Sequence, residues 1–196
     1  MIKEKIVTEL KYYQKYLGEL ISHFYINEAI CNLYDTQKEH YCKFGICLGN
    51  ISDALNYRQH MLCYLLFHYD KESKSIPRLL NKVRDIKISN DEGTDKELKK
   101  LAEELRFEIN EANTDIESLK EYRYDVYAHW NKNIFDEDWQ KDFANKHPFD
   151  YEKIIGLSVK SFNIFKKMLS LLDEESFELS IIQPSHIDLF IEKLSK

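Results

Sequence analysis

Residues that interrupt helices are scarce: the 196-residue chain has five Gly and three Pro. Both residues are costly inside a helix, so their scarcity in a sequence rich in Leu, Ile, Lys and Glu leaves few chain breaks and predicts mostly long helices. Cysteine is also sparse. Cys31, Cys42, Cys47 and Cys63 form no CxxC pair, and no secretory leader precedes them, so a reduced cytoplasm is the expected setting. The grouping of His40, Cys42 and Cys47 is irregularly spaced, with its cysteines at expected helical core positions. No zinc site is expected there or at His60, Cys63 and His68.

Long apolar runs are missing too. The longest, Met61 to Phe67, is far below the roughly 20 residues of a membrane helix, so no membrane association is expected. A di-metal helical bundle needs Glu-x-x-His pairs. The residues three before each histidine are Leu20, Gln37, Tyr57, Leu65, Val126, Ala144 and Gln183, none of them acidic. There is no glycine-rich phosphate loop and no nucleophile elbow. Neither a cofactor nor a metal is expected.

Net positive charge is lacking as well. The formal net charge of −6 counts against indiscriminate binding to nucleic acid, which needs local positive potential. One stretch runs the other way. Between positions 74 and 87, Lys74, Arg78, Lys82, Arg84 and Lys87 face Asp85 alone. The run reads either as a face contacting a phosphate backbone, with Arg78 and Lys82 as candidates, or as a solvated helix surface.

What is present suffices for one folded domain over residues 1–196, since 43% of residues are hydrophobic and 32% charged. Ile6, Leu10, Tyr13, Leu17, Ile21 and Phe24 mark a first helix over 2–34, followed by a polar break at 35–39. A second helix is expected over 41–69, with Phe44, Leu48, Ile51, Leu55, Leu62 and Leu66 as its stripe. Aromatic bulk at Tyr12, Tyr13, Tyr16, Phe24, Tyr25 and Tyr34 reads as packing. Ser75 before Ile76 and Pro77 predicts a cap and a short third helix to about 86. The loop at 89–94 leads to Asp95, a cap for a long helix. Residues 131–148 read as irregular, with Trp130, Phe135, Trp139 and Phe143 tucking them onto the bundle. A helix over 151–172 carries Ile155, Ser158, Phe162, Phe165, Leu169 and Leu172 on one side. An extended piece is expected at 177–182, then a last helix capped by Ser185 and Asp188.

The long helix ends in the most informative stretch, Leu119 to Asn133. Leu105, Ile109, Ala112, Ile116 and Leu119 recur as one apolar face, and its next member is Arg123. An aliphatic residue belongs there, and a guanidinium in such a place is rarely left unpaired. On an unbroken α-helix, Arg123 and His129 stand about 120° and about 9 Å apart, so they converge only on something beyond the helix. Asp125 and His129, at i and i+4, share a face, so the carboxylate can fix the ring's tautomer. The bland alternative pairs Arg123 with a buried carboxylate and leaves His129 to complement the helix dipole.

Arg123, five intervening residues ending in Ala128, then His129 resemble the signature of the HEPN superfamily, and the neighbourhood is similar to its abortive-infection AbiU-type branch. Asn131 fills the slot after "AH" that this branch gives to Asp or Asn. Leu65 to Val83 resembles the branch's hydrophobic helix ending in Asp, a Ser-rich link and a short helix, and Pro184 to Leu194 resembles its terminal helix. One departure is Tyr124, which stands where a polar residue usually follows the arginine, with Asp125 one place later. The resemblance implies an all-α, HEPN-like bundle of long antiparallel helices with short accessory helices.

In function, the resemblance implies a metal-independent endoribonuclease of toxin or phage-defence type, with a composite site at a homodimer interface and RNA as substrate. Arg123 would hold the scissile phosphate and His129 would move protons. Asp125 would orient His129, and Tyr127 and Asn131 would bind RNA. The alternative it carries, favoured by Tyr124, is a non-catalytic module or antitoxin-type partner gripping a protein, nucleotide or RNA in the same groove. A cognate protein partner fits either reading.

Overall fold

The apolar stripe of the first helix forms the spine of the core. The computed structural model describes residues 2–36, 38–69, 74–128 and 136–178, the side chains at 33–44 and 127–128 excepted. Helix α1 spans Ile2–Thr36, and Ile6, Leu10, Tyr13, Leu17, Ile21 and Phe24 are all buried. Helix α2 spans Lys38–Phe67, so of the polar break expected at 35–39 positions 35, 36, 38 and 39 are helical, and 37 lies outside the described residues. Asp, Thr, Lys and Glu each cost a helix less than about 0.7 kcal/mol, which packing elsewhere along so long a helix easily overrides.

Helices α1 and α2 run antiparallel. Arg58 donates to Glu19 at 2.8 Å, Asn27 donates to Asn56 at 2.8 Å, and Ser52 donates to Asn27 at 2.6 Å. Numbers rise on one helix as they fall on the other. Among the described members of the expected stripe of α2, Leu62 and Leu66 in the C-terminal half are buried, whereas Ile51 is exposed; nearby Ile46, outside that stripe, is 86% exposed. The later elements meet α2 near its end, around Tyr64 and His68. Of the two cysteines expected at core positions, Cys47 is exposed and the Cys42 side chain lies outside those described.

Helix α3, Ile76–Asp85, buries Ile76, Leu79, Leu80 and Val83 and carries Pro77 in its first turn, where proline's missing N–H costs nothing. Ser75 occupies the N-cap position, yet its side chain makes no capping hydrogen bond. Helix α4, Glu92–Glu111, starts earlier than expected because Asp91 is its cap, accepting from the Thr94 amide at 2.6 Å. Asp95, expected to be the cap, faces inward. It accepts from the Ile88 amide at 2.8 Å and pairs with Lys99 at 3.0 Å, tying down the α3–α4 connection.

The long helix expected to run into the Arg/His stretch is interrupted. It breaks at Ala112, with φ −93° and ψ 6°, amid Asn110, Asn113 and Thr114, whose short polar side chains compete for backbone groups. Helix α5 continues as Asn113–Glu121, and a π-helical segment follows over Tyr122–Ala128. The apolar face survives the break, since Leu105, Ile109, Ala112, Ile116 and Leu119 are all buried.

Residues 136–148 are not irregular, as expected, but contain helix α6, Glu137–Lys146. Asp136 caps it through the amides of Asp138 and Trp139, and acids in its first turn complement the helix dipole. Helix α7 spans Tyr151–Leu171, capped by Asp150 through the Lys153 amide at 3.1 Å. It lies antiparallel to α1, with ring pairs Tyr13–Phe165 and Phe24–Tyr151, and antiparallel to α4 and α5, with Lys160–Glu108 at 2.6 Å and Lys153–Asp115 at 2.9 Å. Beyond it, the Phe177 amide donates to Gln14 at 2.8 Å. Most of the expected extended piece and the last helix lie outside the described residues. Among the described residues there is no strand, and the architecture is an all-α antiparallel bundle.

Candidate functional site

Arg123 lies on the π-helical segment, not on an α-helix. A π-helix bonds i to i+5, so each residue turns through less than an α-helical step, and the angles drawn from the α-helical wheel do not extend past Glu121. Insertions of this kind recur at functional sites because they re-aim side chains without ending the helix. Here the change carries Arg123 off the buried stripe to a half-buried position facing the end of α2. Its guanidinium sits 4.4 Å from the centre of the Tyr64 ring and 5.5 Å from that of Tyr124.

Those rings replace the carboxylate of the bland alternative. Among the described residues no acid pairs with Arg123. Cation–π contact holds a guanidinium in place while leaving N–H donors at its edge for another acceptor. Burial, with Tyr124 alongside, raises the Tyr64 phenol above its ordinary value against the opposing pull of Arg123, so it stays a neutral donor. Tyr64 also stacks on His68, ring centres 4.7 Å apart, and His68 Nδ1 lies 3.3 Å from Glu117. The sequence does place Tyr64 and His68 at i and i+4. Their meeting with Arg123 depends on α2 and α5 packing antiparallel.

Behind Arg123 an aromatic cluster clamps the segment. Tyr122 packs edge-on against Phe143 and Phe149, with centres 4.9 and 5.3 Å away. Phe143 stacks on Trp139 at 5.0 Å, so these two tuck against the bundle as expected; Trp130 and Phe135 lie outside the described residues. His60 joins from α2, its Nε2 2.7 Å from Tyr151 Oη, and burial pushes its pKa down to about 4. The loop before α7 is pinned to α5 by Asp115, which accepts from the Asp150 amide at 2.8 Å, and by Ser118, which donates to the Pro148 carbonyl at 2.7 Å. Burial alone would raise the Asp115 carboxyl, but Lys153 and the Asp150 amide hold it below its ordinary value.

The other candidates divide. Asp125 is half-buried on the same segment as Arg123. The expected Asp125–His129 pairing falls outside the described residues, as do His129, Asn131 and the Tyr127 side chain. The basic run does not form one face. Lys82 holds Glu9 with two contacts of 2.7 Å and shares a cleft with Arg78 and Lys74, whereas Arg84 pairs with Asp85 at 2.6 Å and lines a different cleft with Arg106. On a 3.6-residue repeat, positions 74, 78 and 82 share a side that 84 does not.

Comparison with known proteins converges on one family. The HEPN_AbiU2 family model, described as AbiU2, matches residues 11–191. No curated protein and no solved structure matches the chain. The matched span takes in the π-helical segment and nearly every described element, and the chain belongs to the AbiU2 family of HEPN domains.

Proposed function

We propose that this chain is a metal-independent endoribonuclease of the abortive-infection type, whose site is completed when two copies bring their π-helical segments together. The observation that carries the reading is Arg123, a half-buried guanidinium steadied by Tyr64 and Tyr124 with no acid to neutralise it among the described residues. A buried-side cation without an internal partner costs stability unless a ligand supplies the charge. A phosphodiester does so, and the planar fork of arginine matches two phosphate oxygens at once.

In this mechanism the Arg123 side chains of the two copies hold the scissile phosphate and stabilise the charge that builds on it. His129 takes the proton of the attacking 2′-hydroxyl or returns one to the leaving oxygen. Asp125 orients His129, and Tyr127 and Asn131 hydrogen-bond to RNA. The deciding experiment compares RNA cleavage by the wild type, Arg123→Ala and His129→Ala. Both variants are expected to lose at least a hundredfold in rate while keeping their helical circular dichroism; cleavage by His129→Ala at the wild-type rate removes the mechanism.

Tyr124 favours a second reading, a non-catalytic module that uses the same face to grip a partner. Its ring stands in the slot for a polar residue and covers Arg123 from the exposed side. Overproduction separates the two readings. A ribonuclease slows growth and is relieved by changing Arg123 and His129 together, whereas a binding module does neither.

A further inference from the structure

The cleft between α1 and the start of α3 has features that packing does not use. It encloses 340 Å3 and is lined by Lys5, Lys74, Arg78 and Lys82, with Glu9 as the one acid among the described residues and Ser75 at the helix start. Lys82 occupies both oxygens of Glu9 at 2.7 Å, so among the described residues Lys5 and Lys74 bring positive charge to the cleft that Glu9 does not take up. The N-terminus of the ten-residue helix α3 opens here; Pro77 has no N–H and the Leu79 amide bonds the Ser75 carbonyl, but the amides of Ile76 and Arg78 and the helix dipole favour an anion.

The second observation is Ser75. It sits at the N-cap, where a serine side chain normally accepts from the helix's own amides, yet it makes no such bond. Its Oγ is wholly buried and has no hydrogen-bond partner among the described residues. Leaving a buried hydroxyl unmet costs about 1–3 kcal/mol. An oxyanion seated at the helix start would accept from that hydroxyl and from the amides while the cations surround its other side. Hydroxyl, amides and the ammonium groups of Lys5 and Lys74 are more donors than the two oxygens of a carboxylate can take, and they suit a tetrahedral anion.

We propose that this cleft binds a phosphate dianion, either inorganic phosphate or a phosphomonoester. The volume lies near the lower end of the about 300–1,000 Å3 usual for small-molecule sites, leaving room for a small group attached to the phosphate. Sequence alone offered Arg78 and Lys82 as contacts to an RNA backbone; the cleft they line instead suits a small anion held by Ser75, Lys5 and Lys74. The proposal does not rest on the nuclease reading.

Calorimetric titration of the full chain with inorganic phosphate, methyl phosphate and dimethyl phosphate tests it. Saturable one-to-one binding of the first two is expected, with the diester at least tenfold weaker. Whichever of the first two binds tighter tells free phosphate from an attached one. Lys74→Glu, at an exposed position, and Ser75→Ala should each weaken binding at least fivefold with unchanged circular dichroism, and His129→Ala should bind as the wild type does. Absence of saturable binding, indifference to both cleft variants, or a diester bound as well as the monoester overturns the proposal.

Discussion

His60 is a buried titrating group that reports on the packing behind Arg123. Its pKa is lowered to about 4 by burial, against about 6.5 for the exposed ring of an unfolded chain. Between those values the unfolded state binds the extra proton, so stability rises with pH in that window. The contribution is complete above about pH 6.5 and falls away as the pH drops towards 4, by an amount on the order of 3 kcal/mol. Urea titrations across that range should show this slope in the wild type and a flatter one in His60→Phe. Equal slopes would mean that the ring is not buried as described.

Asp115 gives a second residue-scale test. It satisfies the Asp150 amide and pairs with Lys153, so Asp115→Ala removes the acceptor that holds the loop to α5. A loss of about 1–3 kcal/mol is expected in denaturant unfolding. Because the folded carboxyl titrates below its ordinary value, this support is present at neutral pH and is lost as the pH falls through the folded pKa.

At the scale of elements, helix starts show how local signals compete. Asp91, Asp136 and Asp150 all cap helices in the manner acids commonly do. Asp95 resembles a cap by position, but the chain turns four residues sooner at Asp91, leaving Asp95 to the Ile88 amide. The two therefore fail differently. Asp91→Ala should cost about 0.5–2 kcal/mol as a lost cap. Asp95→Ala should cost about 1–3 kcal/mol, because it leaves a buried amide without an acceptor. Hydrogen exchange at Ile88 should quicken only in the latter.

The element that matters most to function is the π-helical segment, and periodicity could not reveal it. The face running from Leu105 through Leu119 is legible because apolar residues recur wherever a helix meets a core. The change of pitch after Glu121 arises where Tyr122 is gripped by Phe143, Phe149 and His60. These residues come from three separate parts of the chain. The same limit applied to α6: its capping acids were in plain sight, but the surrounding aromatic and polar residues suggested a loop.

Across the whole molecule, the apolar core joins α1, the end of α2, α3, α4, α5 and α7. Leu105 and Phe165 are fully buried in it. Leu105→Ala should lower stability by about 2–5 kcal/mol and Phe165→Ala by about 3–5 kcal/mol, each read as a lower denaturation midpoint. The proposed nuclease makes its own demand at this scale. Sedimentation should give the mass of two chains at the concentrations where RNA is cut, and a strict monomer there would leave each Arg123 without its twin.

The all-α class, the bounds of most of the long helices and the main buried stripes were written in local composition and spacing. Helix propensity and amphipathic period act over a few residues and can be read along a line. The charge state of Arg123's surroundings could not be read that way, nor could the division of the basic run between two clefts or the inward turn of Asp95. Those depend on which distant side chains arrive at the same place: Tyr64 comes to Arg123 and Glu9 to Lys82 only because antiparallel packing brings separate helices together.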